Sequence, residues 1–117
     1  MLNKFLCIGN MASDPILRKT EGGINYCVFT LAVNSPKLGR LCDEKTNDVS
    51  WPSFEIWGSA AEYLCEHATK GTKLYIEAIY KQYTKVYEQD GQEVKNKIQR
   101  FRVINFEILR KSKIEQT

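Results

Sequence analysis

The sequence predicts an all-β domain carrying a single helix. Three observations lead there. Stretches of alternating residues rich in Val, Ile, Phe, Tyr and Trp recur along the chain, as half-buried strands require. Only one segment, near Ser59 to Gly71, has helical spacing. Turn formers such as Asp14-Pro15, Glu21-Gly22-Gly23 and Asp90-Gly91 separate the stretches. With 117 residues, 43% hydrophobic and 26% charged, the chain suits one soluble globular domain with a modest core.

The first strand is read from Asn3 to Ile8, bounded by Gly9-Asn10. The second spans Tyr26 to Val33, where Cys27, Phe29, Leu31 and Val33 form an apolar face and Tyr26, Val28, Thr30 and Ala32 a mixed one. Ser35 to Asn47 is polar and reads as a loop or hairpin tip. The third strand holds Trp51 and Trp57 and ends at Gly58. Alternation sends Trp51, Ser53, Glu55 and Trp57 to one side, and Pro52, Phe54 and Ile56 to the other. At about 3.4 Å per residue the two indoles stand roughly 20 Å apart on one face.

The helix follows. Ser59 as N-cap with Glu62 three residues later is a capping-box pattern. Ala61, Leu64, Cys65 and Ala68 form one apolar stripe, and Gly71 stands where a C′ glycine belongs. Lys73 to Tyr87 is a long strand, Asp90-Gly91 a hairpin turn, and Lys95 to Leu109 the return strand. Five strands with a helix between the third and fourth is the layout of the OB-fold, a partly open barrel. Such barrels bind oligonucleotides and oligosaccharides, and the fold alone does not choose between them. Residues 1–109 are assigned to this barrel and 110–117 to a polar, frayed tail.

Composition narrows the function. Cys7, Cys27, Cys42 and Cys65 show no CxxC spacing and His67 is the only histidine, so idle or buried thiols are expected, with no metal and no cofactor. No nucleophile–base pair or ligand cluster is visible, which argues against an enzyme. No apolar run approaches the roughly 20 residues of a membrane helix, and the start is too quickly polar for a signal peptide. A cytoplasmic protein without membrane attachment is expected. The net charge of +3 is uneven: Lys70 to Lys113 carries +6 and the remainder −3. A basic half suits a polyanionic partner.

Spaced flat rings on a sheet suit stacking against successive unpaired bases, since every base has a π-face. Trp51 and Trp57 are the candidates, against the plainer reading that they are core or subunit-contact residues. From Lys81 onward one strand face interleaves cations and aromatics: Lys81, Tyr83, Lys85, Tyr87. Lys73, Lys97, Arg100 and Arg102 are further candidate phosphate ligands.

Several segments carry a resemblance. Asn3-Lys4-Phe5-Leu6-Cys7-Ile8-Gly9-Asn10 with Asp14-Pro15-Ile16-Leu17-Arg18 resembles the opening of bacterial single-stranded DNA-binding (SSB) proteins. Phe29-Thr30-Leu31-Ala32-Val33-Asn34, Trp57-Gly58, Ala61-Glu62 and Lys70-Gly71-Thr72-Lys73-Leu74-Tyr75-Ile76-Glu77 continue it in order, so that it covers Asn3 to about Leu109. The resemblance implies sequence-tolerant binding of single-stranded DNA in replication, recombination or repair, by base stacking and a basic groove. It implies Trp51 and Trp57 as platforms, with Tyr87 or Tyr83 in the following hairpin, and a homo-oligomer, tetramer or dimer.

Three departures stand out. Where the family often places an aromatic after the second strand, this chain has Ser35-Pro36-Lys37-Leu38, which offers Lys37 to a phosphate instead. The glycine that usually follows Tyr-Ile-Glu is Ala78. The family's replicative members end in an acidic tip, whereas this sequence ends Lys111-Ser112-Lys113-Ile114-Glu115-Gln116-Thr117; a short accessory or mobile-element form, or a truncated one, is expected. The alternatives are a protein-interaction or RNA-binding module on the same scaffold, such as a primosomal replication protein.

Overall fold

The structure is a computed structural model that describes residues 1–34 and 48–112. Among these, the chain forms β1 (Phe5–Met11), β2 (Arg18–Lys19), β3 (Asn25–Asn34), β4 (Val49–Ser50), β5 (Ser53–Trp57), α1 (Ser59–His67), β6 (Lys73–Gln89) and β7 (Gln92–Arg110). The long strands pair in the order β1-β6-β7-β5-β3, and β3 pairs back onto β1. The sheet therefore closes on itself. With α1 between the third and fourth long strands, this is the expected OB-fold.

Alternation explains the inner wall. Phe29, Leu31, Phe54, Ile56, Leu74, Ile76 and Ala78 are buried, each two residues from the next on its strand. Four rings from four strands meet inside. Phe5 stacks on Phe101 at 4.0 Å, Phe29 on Phe54 at 5.3 Å, and Phe54 lies 5.8 Å from Phe101. The α1 stripe, Ala61 and Leu64, is fully buried, and the helix packs against β3 and β5. Burial raises the thiols of Cys7 to about 11 and of Cys27 to about 12, so both stay protonated near neutrality.

Element ends differ from the sequence reading, for local reasons. Gly9 does not close the first strand. It sits where β1 leaves β6 for β3, and a Cβ there would lie 2.8 Å from the Ala32 carbonyl oxygen. The glycine is a close-approach site. The third strand is interrupted at Trp51-Pro52, because Pro52 has no N–H for the ladder. The register nevertheless runs through, with Val33 opposite Ser50 and Thr30 opposite Ser53.

The helix N-cap is Gly58, with no side-chain cap, and Ser59 is the first helical residue. The capping box does not form. Glu62 instead accepts a hydrogen bond from the Asn25 side chain. The helix closes at Ala68, and Gly71, at φ 91°, turns the chain into β6. The hairpin is as expected: Asp90 and Gly91 both have positive φ, 54° and 76°, which matches the twist of the flanking strands. Ala78 is buried opposite Phe5, beside a register shift between β6 and β7.

Candidate nucleic-acid interface

The outer wall of the barrel is continuous with one face of the β6–β7 ribbon. Directly paired residues share a face. Tyr26 pairs with Trp57 and Val28 with Glu55 across β3–β5, and Glu55 pairs with Arg102 across β5–β7. Across β6–β7, Arg102 pairs with Ile79, Arg100 with Lys81, Ile98 with Tyr83, Asn96 with Lys85 and Val94 with Tyr87. One surface thus joins Tyr26, Trp57, Arg102, Tyr83, Lys81, Arg100, Lys85 and Tyr87.

Lys97 is not on that surface. It pairs with Thr84 and shares the opposite face of the ribbon with Lys95, which pairs with Val86. Lys73 lies at the base of β6, between Asn10 and Arg110. Lys81 is eight positions further along the strand, roughly 26 Å at 3.2–3.4 Å per residue. Lys37 falls outside the described residues.

The two tryptophans are presented differently. Trp51 is 60% exposed. It borders a cleft lined also by Phe5, Val33, Pro52 and Phe101. Trp57 is 37% exposed. Tyr26 stacks on it at 5.1 Å and 26°, and the Arg102 guanidinium lies 5.6 Å from its ring centre. Since β5 runs between β3 and β7, these neighbours reach the indole from the strands on either side. Trp57 belongs to a preassembled stack, while Trp51 offers more open surface.

Beneath the stack lies Glu55. Glu55 does share the tryptophan side, yet it is only 1% exposed. Its Oε2 accepts three hydrogen bonds: from Trp57 Nε1 at 2.6 Å, Tyr83 Oη at 2.8 Å and Arg102 Nε at 3.0 Å. Arg102 Nη2 also donates to Tyr83 Oη at 2.8 Å. Burial pushes the Glu55 carboxyl up, but hydrogen bonds from Trp57, Tyr83 and Arg102, with the Arg102 charge, hold it below the ordinary value. Tyr83 is raised by burial and by its bond to Glu55.

Alternation gives the side on which a residue lies but not what covers it, so Glu55 was missed. The available signal was a lone carboxylate between two aromatics on a strand whose downstream partners are basic. Tyr26 was missed because it sat on a mixed face. Among the described residues, no group of three or more His, Cys, Asp or Glu stands together to hold a metal. No helix among them is long and apolar enough to cross a membrane.

A closed small barrel bearing an aromatic and basic outer face is the architecture of an oligonucleotide-binding domain. The chain belongs to the single-strand binding protein family, whose model matches residues 2–108. It is similar to proteins named single-stranded DNA-binding protein. One, from Xylella fastidiosa, is 32% identical over 93 residues, 79% of this chain and 55% of that protein. One from Rickettsia typhi is 33% identical over 79% of this chain and 60% of that protein. One from Enterococcus faecalis is 34% identical over 80% of this chain and 48% of that protein. The chain spans about half the length of these relatives.

Proposed function

We propose that this chain binds single-stranded DNA with little regard to sequence and without catalysis, in replication, recombination or repair. The observation that carries this reading is the single face shared by Trp57, Tyr83, Lys81, Arg100, Lys85 and Tyr87 across β5, β6 and β7. Bases stack on the aromatics, Trp51 being the most open, and the backbone runs past Lys81, Arg100 and Lys85. Sequence tolerance follows from the chemistry, because stacking and phosphate contacts do not read base edges. Family membership and the names of the relatives support the same ligand.

We further infer a homo-oligomer. Leu6 and Ile8 project side by side from β1, 53% and 49% exposed, an apolar strip suited to burial against a second copy. Titration with oligo-dT and oligo-U of several lengths tests the ligand. Saturable binding that strengthens with length and favours oligo-dT supports the reading; a clear preference for oligo-U supports the RNA-binding alternative.

A further inference from the structure

We propose that Glu55 is a positioning residue for the DNA-binding face, and that it holds Arg102 as an internal strut rather than a phosphate ligand. The proposal rests on the single-stranded DNA reading. A carboxylate buried to 1% exposure is costly to desolvate and persists only with partners. Its three donors come from three strands: Trp57 from β5, Tyr83 from β6 and Arg102 from β7. The Arg102–Tyr83 bond closes a triangle with Glu55. Tyr83 therefore both donates to Glu55 and accepts from Arg102.

Two consequences follow from this geometry. The indole N–H of Trp57 is tied down, so its ring plane is set before any base arrives, as preorganised binding requires. The guanidinium of Arg102 has its Nε and Nη2 turned inward, and its charge is met by Glu55 at 3.0 Å. Arg102 stands in the middle of a basic face while contributing little net charge to it. Apolar residues of similar volume would stabilise the barrel as well as a buried ion pair does. What this network adds is fixed orientation on the surface where the ligand lies.

The test compares the salt dependence of oligo-dT binding for the native chain, Glu55→Gln, and Glu55→Gln with Arg102→Gln. Glutamine keeps an acceptor for the three donors but removes the charge that holds Arg102. Released Arg102 gains a phosphate, so the slope of log K against log salt steepens by about 0.7 in Glu55→Gln. The double variant returns to the native slope. An unchanged slope in Glu55→Gln overturns the proposal. So does a double variant that stays steep, or one that falls below native.

A DNA-free measurement separates this proposal from the ligand assignment. In Trp51→Phe protein, Trp57 is the only indole, and adding Glu55→Leu, which removes the acceptor of its N–H, should raise its quenching by acrylamide about two-fold as the ring loosens; unchanged quenching overturns the positioning role. If native protein fails to bind oligo-dT while quenching rises, the ligand reading fails and the positioning of Trp57 stands. Should the Glu55 variants not fold, Arg102→Gln alone tests the strut: the proposal gives it the native salt slope, and a slope shallower by about 0.7, as loss of a phosphate ligand would give, overturns the proposal.

Discussion

The ribbon register makes a quantitative prediction about which cations meet DNA. Lys81, Lys85 and Arg100 share the aromatic face, whereas Lys97 points from the other side. Each phosphate neutralised on a single strand contributes about −0.7 to the slope of log K against log salt. Three cations therefore give a slope of about −2.1, and raising salt from about 50 to 200 mM weakens binding about 20-fold. Lys81→Gln should reduce the slope to about −1.4 and the loss to about 7-fold. Lys97→Gln should leave both unchanged. Fluorescence anisotropy of a labelled oligo-dT across a salt series reads all three proteins directly. Equal effects of Lys81→Gln and Lys97→Gln would refute the assignment of one binding face, since both sides of the ribbon would then be tracking phosphates.

Three further expectations follow from the same structure. Trp51→Ala should weaken oligo-dT binding by about 1–3 kcal/mol, the worth of one stacking platform, and native affinity in a folded Trp51→Ala protein would remove that indole from the site. Acid should destabilise the fold in part through Glu55. Its folded carboxyl titrates below the ordinary value of 4.5, so the unfolded chain takes up the proton first. Stability is full above that value and is lost as pH falls through the folded one. Thermal melts from about pH 6 to pH 3 should show a shallower acid loss in Glu55→Gln than in the native chain; identical losses would exclude Glu55 as a contributor. Leu6→Asp with Ile8→Asp should lower the mass seen by light scattering if β1 carries the subunit contact, and an unchanged mass would place that contact elsewhere.

Much of the barrel was legible because its strands keep one buried face. The two-residue period of Phe29, Leu31, Phe54 and Ile56, and of Leu74, Ile76 and Ala78, marks the inner wall without tertiary information. Strand ends were less legible. Gly9 resembles a terminator in sequence, yet only the approach of Ala32 reveals that a side chain would clash there. The short strands β2 and β4 have two residues each, too few to show a period. In the site, alternation placed Lys81, Tyr83, Lys85 and Tyr87 together correctly. It could not place the return-strand cations, because their side depends on the register that Asp90-Gly91 sets with β6. Glu55 was the hardest residue to read. Its parity was evident, but its burial arises from Tyr83 and Arg102, 28 and 47 residues away in sequence.

Stacking of bases on the aromatic outer face of this barrel is the proposed mode of binding. Intrinsic tryptophan fluorescence during titration with oligo-dT tests it most directly, because Trp51 and Trp57 are the only two indoles in the chain. The native protein, Trp51→Phe and Trp57→Phe are titrated in parallel at low salt. Stacking predicts strong, saturable quenching in the native protein, with the larger share lost in Trp51→Phe because Trp51 is the more open ring. Tight binding seen by anisotropy with unaltered tryptophan emission in all three proteins would contradict the claim, since DNA would then be held without touching either platform.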